Sequence, residues 1–470
     1  MRIRGWGLAL LLGAALPVPA GAQTLNEALA RAYSNNPTLL AARAQLRATD
    51  EQVPQALAGW RPTVVVASSY GAADVTQRLR PQTLPNGQQV PSPNNVSVQR
   101  SPFNATATVT QPLFRGGRTI AQTRQAENAV LSQRAVLLAT EQQVLSDAVN
   151  AYAQVIQQSE LVRLNTNNEQ VLARQLQATN ERFRVGEITR TDVAQAESRL
   201  AGARANRLTA EGNLQIARAT FQRVIGEPPA RLTNPQPLRP PVRSAAEAQA
   251  QASTNNPNVV AALFTAAAAR DNIDVQMATL LPTLSASGQV FRQDNQVTQG
   301  VQQNGGQITA NLSIPIFQGG AEHALVRQAR QTAQQQLAQV DVQRRLAAQQ
   351  AAQAWEQLQA ARASVDSVRA QIRAAEIALD GVQREAIVGS RTTLDVLNAE
   401  QELLNARTSL VNALSSVVTG SYALAAAVGR LTAVDLGLPV EIYDMRAYYN
   451  AVRDRWVGLG DYSNVATRGR

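Results

Sequence analysis

The chain is written twice, and that fact constrains its fold more than any other. Gln111-Pro112-Leu113-Phe114-Arg115-Gly116-Gly117 returns as Ile314-Pro315-Ile316-Phe317-Gln318-Gly319-Gly320, 203 residues later. At the same offset Gly186 meets Gly389, Asp192 meets Asp395, Glu197 meets Glu400 and Gly226 meets Gly429. Upstream, Asn35-Asn36-Pro37 returns as Asn255-Asn256-Pro257 and Pro62 returns as Pro282, both at an offset of 220. The 17-residue difference therefore lies between Pro62 and Pro112. A repeat of this length marks a duplicated architecture.

Each half reads as short helices, strand, loop, strand, a very long helix, a turn and a second long helix. Residues 113–227 hold no Pro, and neither do 316–438. Between Gly117 and Gly186 lie 68 residues without Gly or Pro, and between Gly320 and Gly389 another 68, interrupted only by Gly381. A helix of that length spans ~100 Å, which points to a coiled coil or helical barrel. The apolar spacing agrees. Leu131, Leu138, Leu145 and Tyr152 recur every seven residues, as do Val130, Leu137, Val144 and Ala151. Near the end, Leu397, Leu404, Val411 and Val418 repeat likewise, beside Leu403, Leu410, Val417 and Leu424. A seven-residue period implies left-handed supercoiling, and two adjacent columns imply neighbours on two sides.

The strands are legible by a period of two. Phe103, Ala105, Ala107 and Val109 alternate with Asn104, Thr106, Thr108 and Thr110. Ile308, Ala310, Leu312, Ile314 and Ile316 alternate with Gln307, Thr309, Asn311 and Ser313. The expected strands cover 63–74, 101–113, 283–292 and 306–317, with loops at about 72–96 and 292–305. The expected long helices cover 117–185, 190–226, 320–388 and 392–428. Six prolines crowd into 228–241 and mark a linker between the halves. The division expected is a first repeat over 23–232, a linker at 233–244, a second repeat over 245–432, and a segment over 433–470 packing outside the helices.

The first 22 residues read as a secretory signal, with Arg2 and Arg4 ahead of an apolar stretch and Ala20-Gly21-Ala22 as the cleavage site. The stretch is shorter than the ~20 residues of a spanning helix. The chain has no Cys, hence no disulfide and no lipid-bearing Cys. No later segment reads as a transmembrane helix, so membrane insertion would have to use β-structure. The net charge is +10 and every basic residue is Arg. These arginines are scattered among Gln, Ala and Glu rather than clustered, which argues against nucleic acid as a partner.

Four strands of about ten residues, apolar on one face and polar on the other, match transmembrane β-strands. A soluble sheet packed on one face is the competing reading. The signal and the long helices tip the balance to the membrane. A four-stranded sheet cannot span a bilayer alone, because each unpaired edge group costs several kcal/mol in hydrocarbon. The edges must close on other copies. Two copies give eight strands with a filled interior, three give twelve with room for a lumen, and the sequence separates three from four only weakly.

The repeat, the two Asn-Pro signatures, the two Pro-x-Phe-x-Gly-Gly junctions and the run Val388-Gly389-Ser390-Arg391-Thr392-Thr393-Leu394-Asp395-Val396-Leu397-Asn398-Ala399-Glu400 resemble the TolC-like outer membrane efflux proteins over nearly the whole chain. The fold implied is an α+β membrane protein built from a duplicated strand-strand-long-helix-helix repeat, assembled as a trimeric 12-stranded β-barrel continuous with a 12-helix α-barrel tunnel. The function implied is an outer membrane channel-tunnel, the exit duct of a tripartite efflux pump or type I secretion system. The implied partners are a homotrimer, outer membrane lipid, a periplasmic adaptor protein and an inner-membrane transporter of RND, ABC or MFS type.

The resemblance also implies a gate at the tip turns of Gly186 and Gly389, far from the strands. It places Asp395 facing the pore, where three copies would make a carboxylate ring that attracts cations. Where relatives often carry a second pore acid, this chain has Asn398. Arg391, Thr191 and Asp192 match positions whose links hold the tip closed, while a Tyr of that network is Ala386 here. The residues alone offer a simpler role. Asp192 and Asp395 each stand in the first turn of a helix, where an acid stabilises the dipole by about 0.3–1 kcal/mol. No enzyme is expected, and no cofactor or metal. His323 is the only His, too few for a metal site. A periplasmic adaptor with a coiled-coil hairpin is the main alternative, but it has no need of four amphipathic strands.

Overall fold

The computed structural model describes residues 23–77, 82–90, 96–460 and 462. The expected signal segment, 1–22, and parts of the 72–96 loop lie outside the described residues. The chain opens with three short helices, α1 (Leu25–Asn35), α2 (Pro37–Asp50) and α3 (Gln52–Leu57). Strand β1 (Thr63–Tyr70) is followed by two small ribbons, β2 (Ala73–Gln77) with β5 (Val96–Arg100) and β3 (Gln82–Thr83) with β4 (Gln89–Val90), and then by β6 (Phe103–Arg115). Helices α4 (Arg118–Arg184) and α5 (Arg190–Ile225) form the first long hairpin. The second half supplies α6 (Ala245–Asn255), α7 (Pro257–Met277), β7 (Thr283–Asp294), β8 (Gln302–Ser313), α8 (Ala321–Ile387), α9 (Thr393–Ala427) and a short α10 (Ala447–Val452).

The repeated Asn-Pro pairs are helix starts. Asn36 and Asn256 cap α2 and α7 with their side-chain oxygens, and Pro37 and Pro257 take the first helical position, where no N–H is needed. Each Asn also reaches the end of its own half's second long helix. Asn36 Nδ2 donates to Val224 O at 2.8 Å, and Asn256 Nδ2 to Ala427 O at 3.2 Å. One residue type thus starts one helix and satisfies an orphan carbonyl of another.

The main sheet runs β1-β6-β7-β8, antiparallel throughout. Its register sorts the side chains by face. Val109 stands opposite Val64 and Gly288, and Gly288 opposite Ile308; Ala107 stands opposite Val66 and Val290. Val66 and Ile308 on this face are 76% and 89% exposed, an extent of bare hydrocarbon that water would not tolerate. The opposite face carries a polar ladder. Gln307 donates to Gln289 at 2.8 Å, Gln289 to Thr108 at 3.2 Å, and the Ser287 and Thr309 hydroxyls meet at 2.7 Å. Both edges of the sheet, β1 and β8, are unpaired along the main ladder.

Three expectations need correction. Strand β8 ends at Ser313 instead of running to 317, because its neighbour β7 begins at Thr283, opposite Ser313, and Pro315 has no N–H to donate. At its other end the hairpin is longer than expected, with only 295–301 between β7 and β8. Strand β1 stops at Tyr70, and the chain beyond it joins the separate β2–β5 ribbon, so the 17 additional residues of the first half lie among these ribbons. Finally, α9 is long and apolar enough to cross a membrane by length and composition. In the fold it lies along α8, and Leu397, Leu403, Val418 and Leu424 are buried; its apolar face goes into helix packing.

The main core lies where α1 and α2 cross the long helices. Leu29, Leu39 and Leu46 pack with Leu137, Leu145 and Tyr152 of α4 and Phe221 and Ile225 of α5. Leu431, Ala433, Leu438 and Tyr443, from the chain after α9, complete it. The Tyr152 hydroxyl contacts Gln23 O at 2.8 Å and Thr233 O at 2.7 Å and accepts from Thr233 N at 3.1 Å. It fastens the start of the described chain and the interrepeat linker to α4.

Candidate functional site

The long helices end in two matching turns. Gly186 and Gly389 adopt φ of +79° and +81°, the left-handed conformation that reverses a helix end. Thr189 then caps α5 and Thr392 caps α9. In each case the cap hydroxyl accepts from the N–H three residues on, and that residue's carboxylate accepts from the cap's N–H. Asp192 accepts from Thr189 N at 3.0 Å and Asp395 from Thr392 N at 3.0 Å. The duplicated Asp is therefore the closing member of a capping box, so the simple helix-start role is real. The Thr189 hydroxyl and backbone hold the Asp192 carboxyl below its usual range, with help from Arg182. The Thr392 backbone and hydroxyl do the same for Asp395, with help from Arg391.

The halves part company in the ion pairs that brace these turns. In the first hairpin Arg182, in the last turn of α4, donates to Glu187 in the turn at 2.7 Å. In the second hairpin the polarity is reversed, and Arg391 in the turn donates to Glu385 at 2.9 Å. The reversal exchanges a fixed acid for a fixed base at the exposed tip. Arg391 makes no ion pair with Asp192 among the described residues, and Thr191 is exposed. Ala386, where the resemblance implies a Tyr, is buried and has no hydroxyl to offer.

Asn398 is engaged with the neighbouring hairpin, where its Oδ1 accepts from Arg199 of α5 at 2.9 Å. Just above, Leu397 packs with Leu172, Leu200 and Ala203 of the first hairpin. Glu400, half-buried, is pushed up by burial, against the pull of Arg407 and a bond from Gln383 at 3.2 Å. The tip is thus two capped turns with a hydrophobic seam and one polar tie between them. The sequence reading missed Arg182, Glu187, Glu385 and Arg199. The charge reversal between Arg182 and Glu385 was readable at the repeat's own offset of 203; the Arg199–Asn398 pairing was not, because it joins different helices.

The outer membrane efflux protein family model matches residues 28–227 and 249–430. The outer membrane efflux protein BepC of Brucella suis biovar 1 is 36% identical over 452 residues, covering 96% of this chain and 95% of that protein. Among solved structures, the Campylobacter jejuni CmeC outer membrane channel superposes with a TM-score of 0.75 at 16% identity, covering 92% of this chain and 89% of that one. The outer membrane protein VceC of Vibrio cholerae gives 0.72 at 22% identity, covering 86% and 96%.

Proposed function

The chain belongs to the outer membrane efflux protein family, and from that premise we propose that it is the exit duct of a tripartite efflux pump or type I secretion system, a passive conduit gated at its periplasmic tip. It is an outer membrane protein, with its long helices in the periplasm. The observation that carries the duct reading is the two-faced sheet with two open edges, hung from helices of 67 residues each, α4 and α8.

In a bilayer the unpaired edges β1 and β8 must find partners. Closure of three copies makes twelve strands with the polar ladder of Gln289, Gln307 and Thr108 lining the lumen. The helices ask for the same neighbours. Leu337 and Ile377 of α8 are largely exposed in one protomer, on a helix whose buried side chains are few and, apart from Leu358, Ala and Val. A homotrimer gives these columns a wall to pack in. An adaptor made only of a helical hairpin would leave the sheet without a purpose.

At the tip, Arg391 is the side chain best placed to latch. Within one protomer it holds Glu385, so a link from Arg391 to Thr191 or Asp192 is one made between copies. Asp395, bonded to its own cap, presents its remaining acceptor capacity to the pore, and three copies form a ring selective for cations. Asn398 makes the next level neutral. The partners on this reading are a periplasmic adaptor protein and an inner-membrane transporter of RND, ABC or MFS type. The test is Arg391→Ser in the purified full-length trimer in a planar bilayer. Single-channel conductance should rise severalfold; conductance equal to wild type would remove Arg391 from the gate. Recovery of the protein in the inner membrane would refute the duct reading as a whole.

A further inference from the structure

The root of the sheet carries a feature that the duct itself does not need. Strand β1 begins at Thr63, and the register places Thr63, Arg115, Thr283 and Ser313 at the same end of the sheet, the end joined to the helices. The chain after α10 comes back to this place. Arg61 Nη1, two residues before β1, donates to Arg455 O at 2.6 Å, and its guanidinium lies 5.2 Å from the Trp456 ring. Arg455 in turn donates to Ala451 O at 2.9 Å and stacks on Tyr462 at 3.8 Å. The tail is pinned where the strands leave the helical part.

What it holds there is bare. Trp456 is 66% exposed, Val457 89%, and Leu459 entirely so. Trp60 on the neighbouring turn and Phe114 at the end of β6 are also exposed. The cations beside them lack counter-ions rather than partners. Arg453 is taken up by Glu127 at 3.3 Å, whereas Arg61 and Arg455 bond to backbone carbonyls and lie on aromatic rings with no carboxylate partner among the described residues; Asp454 and Asp461 are the acids of the segment in sequence. An indole and aliphatic side chains between guanidinium groups without counter-ions, at the end of a membrane-spanning sheet, is the composition of the membrane–water interface.

We propose that the segment 455–459 is an interfacial anchor that lays Trp456, Val457 and Leu459 into the periplasmic leaflet of the outer membrane, with Arg61 and Arg455 binding the phosphate groups of anionic phospholipid. Two arguments fix a lipid surface as the occupant. The patch is tied through Arg61 to the root of β1, two residues ahead of the strand whose Val64 and Val66 are exposed, and an anionic headgroup layer supplies the counter-ions that Arg61 and Arg455 lack. The anchor grips the barrel at its root through Arg61, so it resists tilting of the helical part relative to the membrane. The proposal rests on the placement of the sheet in the outer membrane.

The test uses the full-length trimer in vesicles of phosphatidylethanolamine and phosphatidylglycerol whose acyl chains carry bromine at carbons 6 and 7, against the same vesicles unbrominated. The emission difference between wild type and Trp456→Phe isolates Trp456. Brominated lipid should quench that emission, as for an indole held at the membrane interface. Val66→Trp, on the apolar face of β1, is the control for the sheet. Quenching of Val66→Trp without quenching of Trp456 overturns the anchor and leaves the membrane placement standing; no quenching of either overturns both. A Trp456 emission that is blue-shifted yet unquenched assigns the tail to a neighbouring copy and overturns the anchor as well. Exchanging phosphatidylglycerol for phosphatidylcholine should weaken the quenching in wild type and not in Arg455→Gln. Equal quenching of wild type in both lipids overturns the role of the arginines.

Discussion

Asp50 should make the junction between α2 and the C-terminal helix sensitive to pH. It is the last residue of α2, with no exposed surface, and neither carboxylate oxygen has a hydrogen-bond partner. Burial is the first reason its carboxyl is pushed up to about 7, with Glu51 adding to it and Arg134 and Arg47 opposing. The C-terminal end of a helix is also an unfavourable place for an anion. Around it, the Arg134 guanidinium lies 5.2 Å from the Tyr449 ring of α10, the Tyr448 hydroxyl donates to Glu51 at 2.9 Å, and Arg453 pairs with Glu127. The folded state therefore holds a proton that the open state releases between pH 3.8 and about 7, so stability falls as pH rises through that window and levels off above it. From pH 5.5 to pH 8 linkage gives a loss of about 2 kcal/mol, or a local opening about 30-fold more frequent. Hydrogen exchange of the α3 and α10 amides, corrected for intrinsic rates, reads this directly. In Asp50→Asn, which keeps the shape and cannot ionise, the step should vanish. The same step in Asp50→Asn, or none in wild type, would refute the reasoning.

The other perturbations probe the seams between repeats. Tyr152→Phe removes the hydroxyl shared by Gln23 and Thr233, while Thr233 N keeps its bond to Gln23 O at 3.2 Å, so it should cost about 1 kcal/mol, seen as earlier thermal unfolding and faster proteolysis of the linker. Gly429→Ala puts a Cβ 2.6 Å from Asn255 O at a φ of +82°. It should destabilise by about 1–3 kcal/mol or more and lower the yield of folded protein, whereas Gly212→Ala, mid-helix with nothing within 4 Å, should stabilise by about 0.5–1 kcal/mol.

Much of the fold was legible because its signals are local. A glycine at each end and none between brackets α4, and the heptad columns of Val130, Leu137, Val144 and Ala151 are all buried. The Asn36-Pro37 and Asn256-Pro257 starts and the alternation in β6 need no partner to be read. The tip turns were placed by Gly186 and Gly389, and the helix-start role of Asp192 and Asp395 followed from position alone. Three features were misjudged for one physical reason, since each depends on what lies alongside. Strand β8 ends where β7 begins, β1 stops where the ribbons branch off, and α9 is apolar because it must pack.

The sequence by itself determined the duplicated layout, the element types, the length of the helices and the two-faced strands, because period, caps and breakers act within a few residues. Only the tertiary structure decided which charges meet. Arg199 takes Asn398 from the other hairpin, Arg61 pins the tail at Arg455, and Arg453 reaches back to Glu127. Pairings over tens to hundreds of residues are set by packing geometry, and no local pattern encodes them.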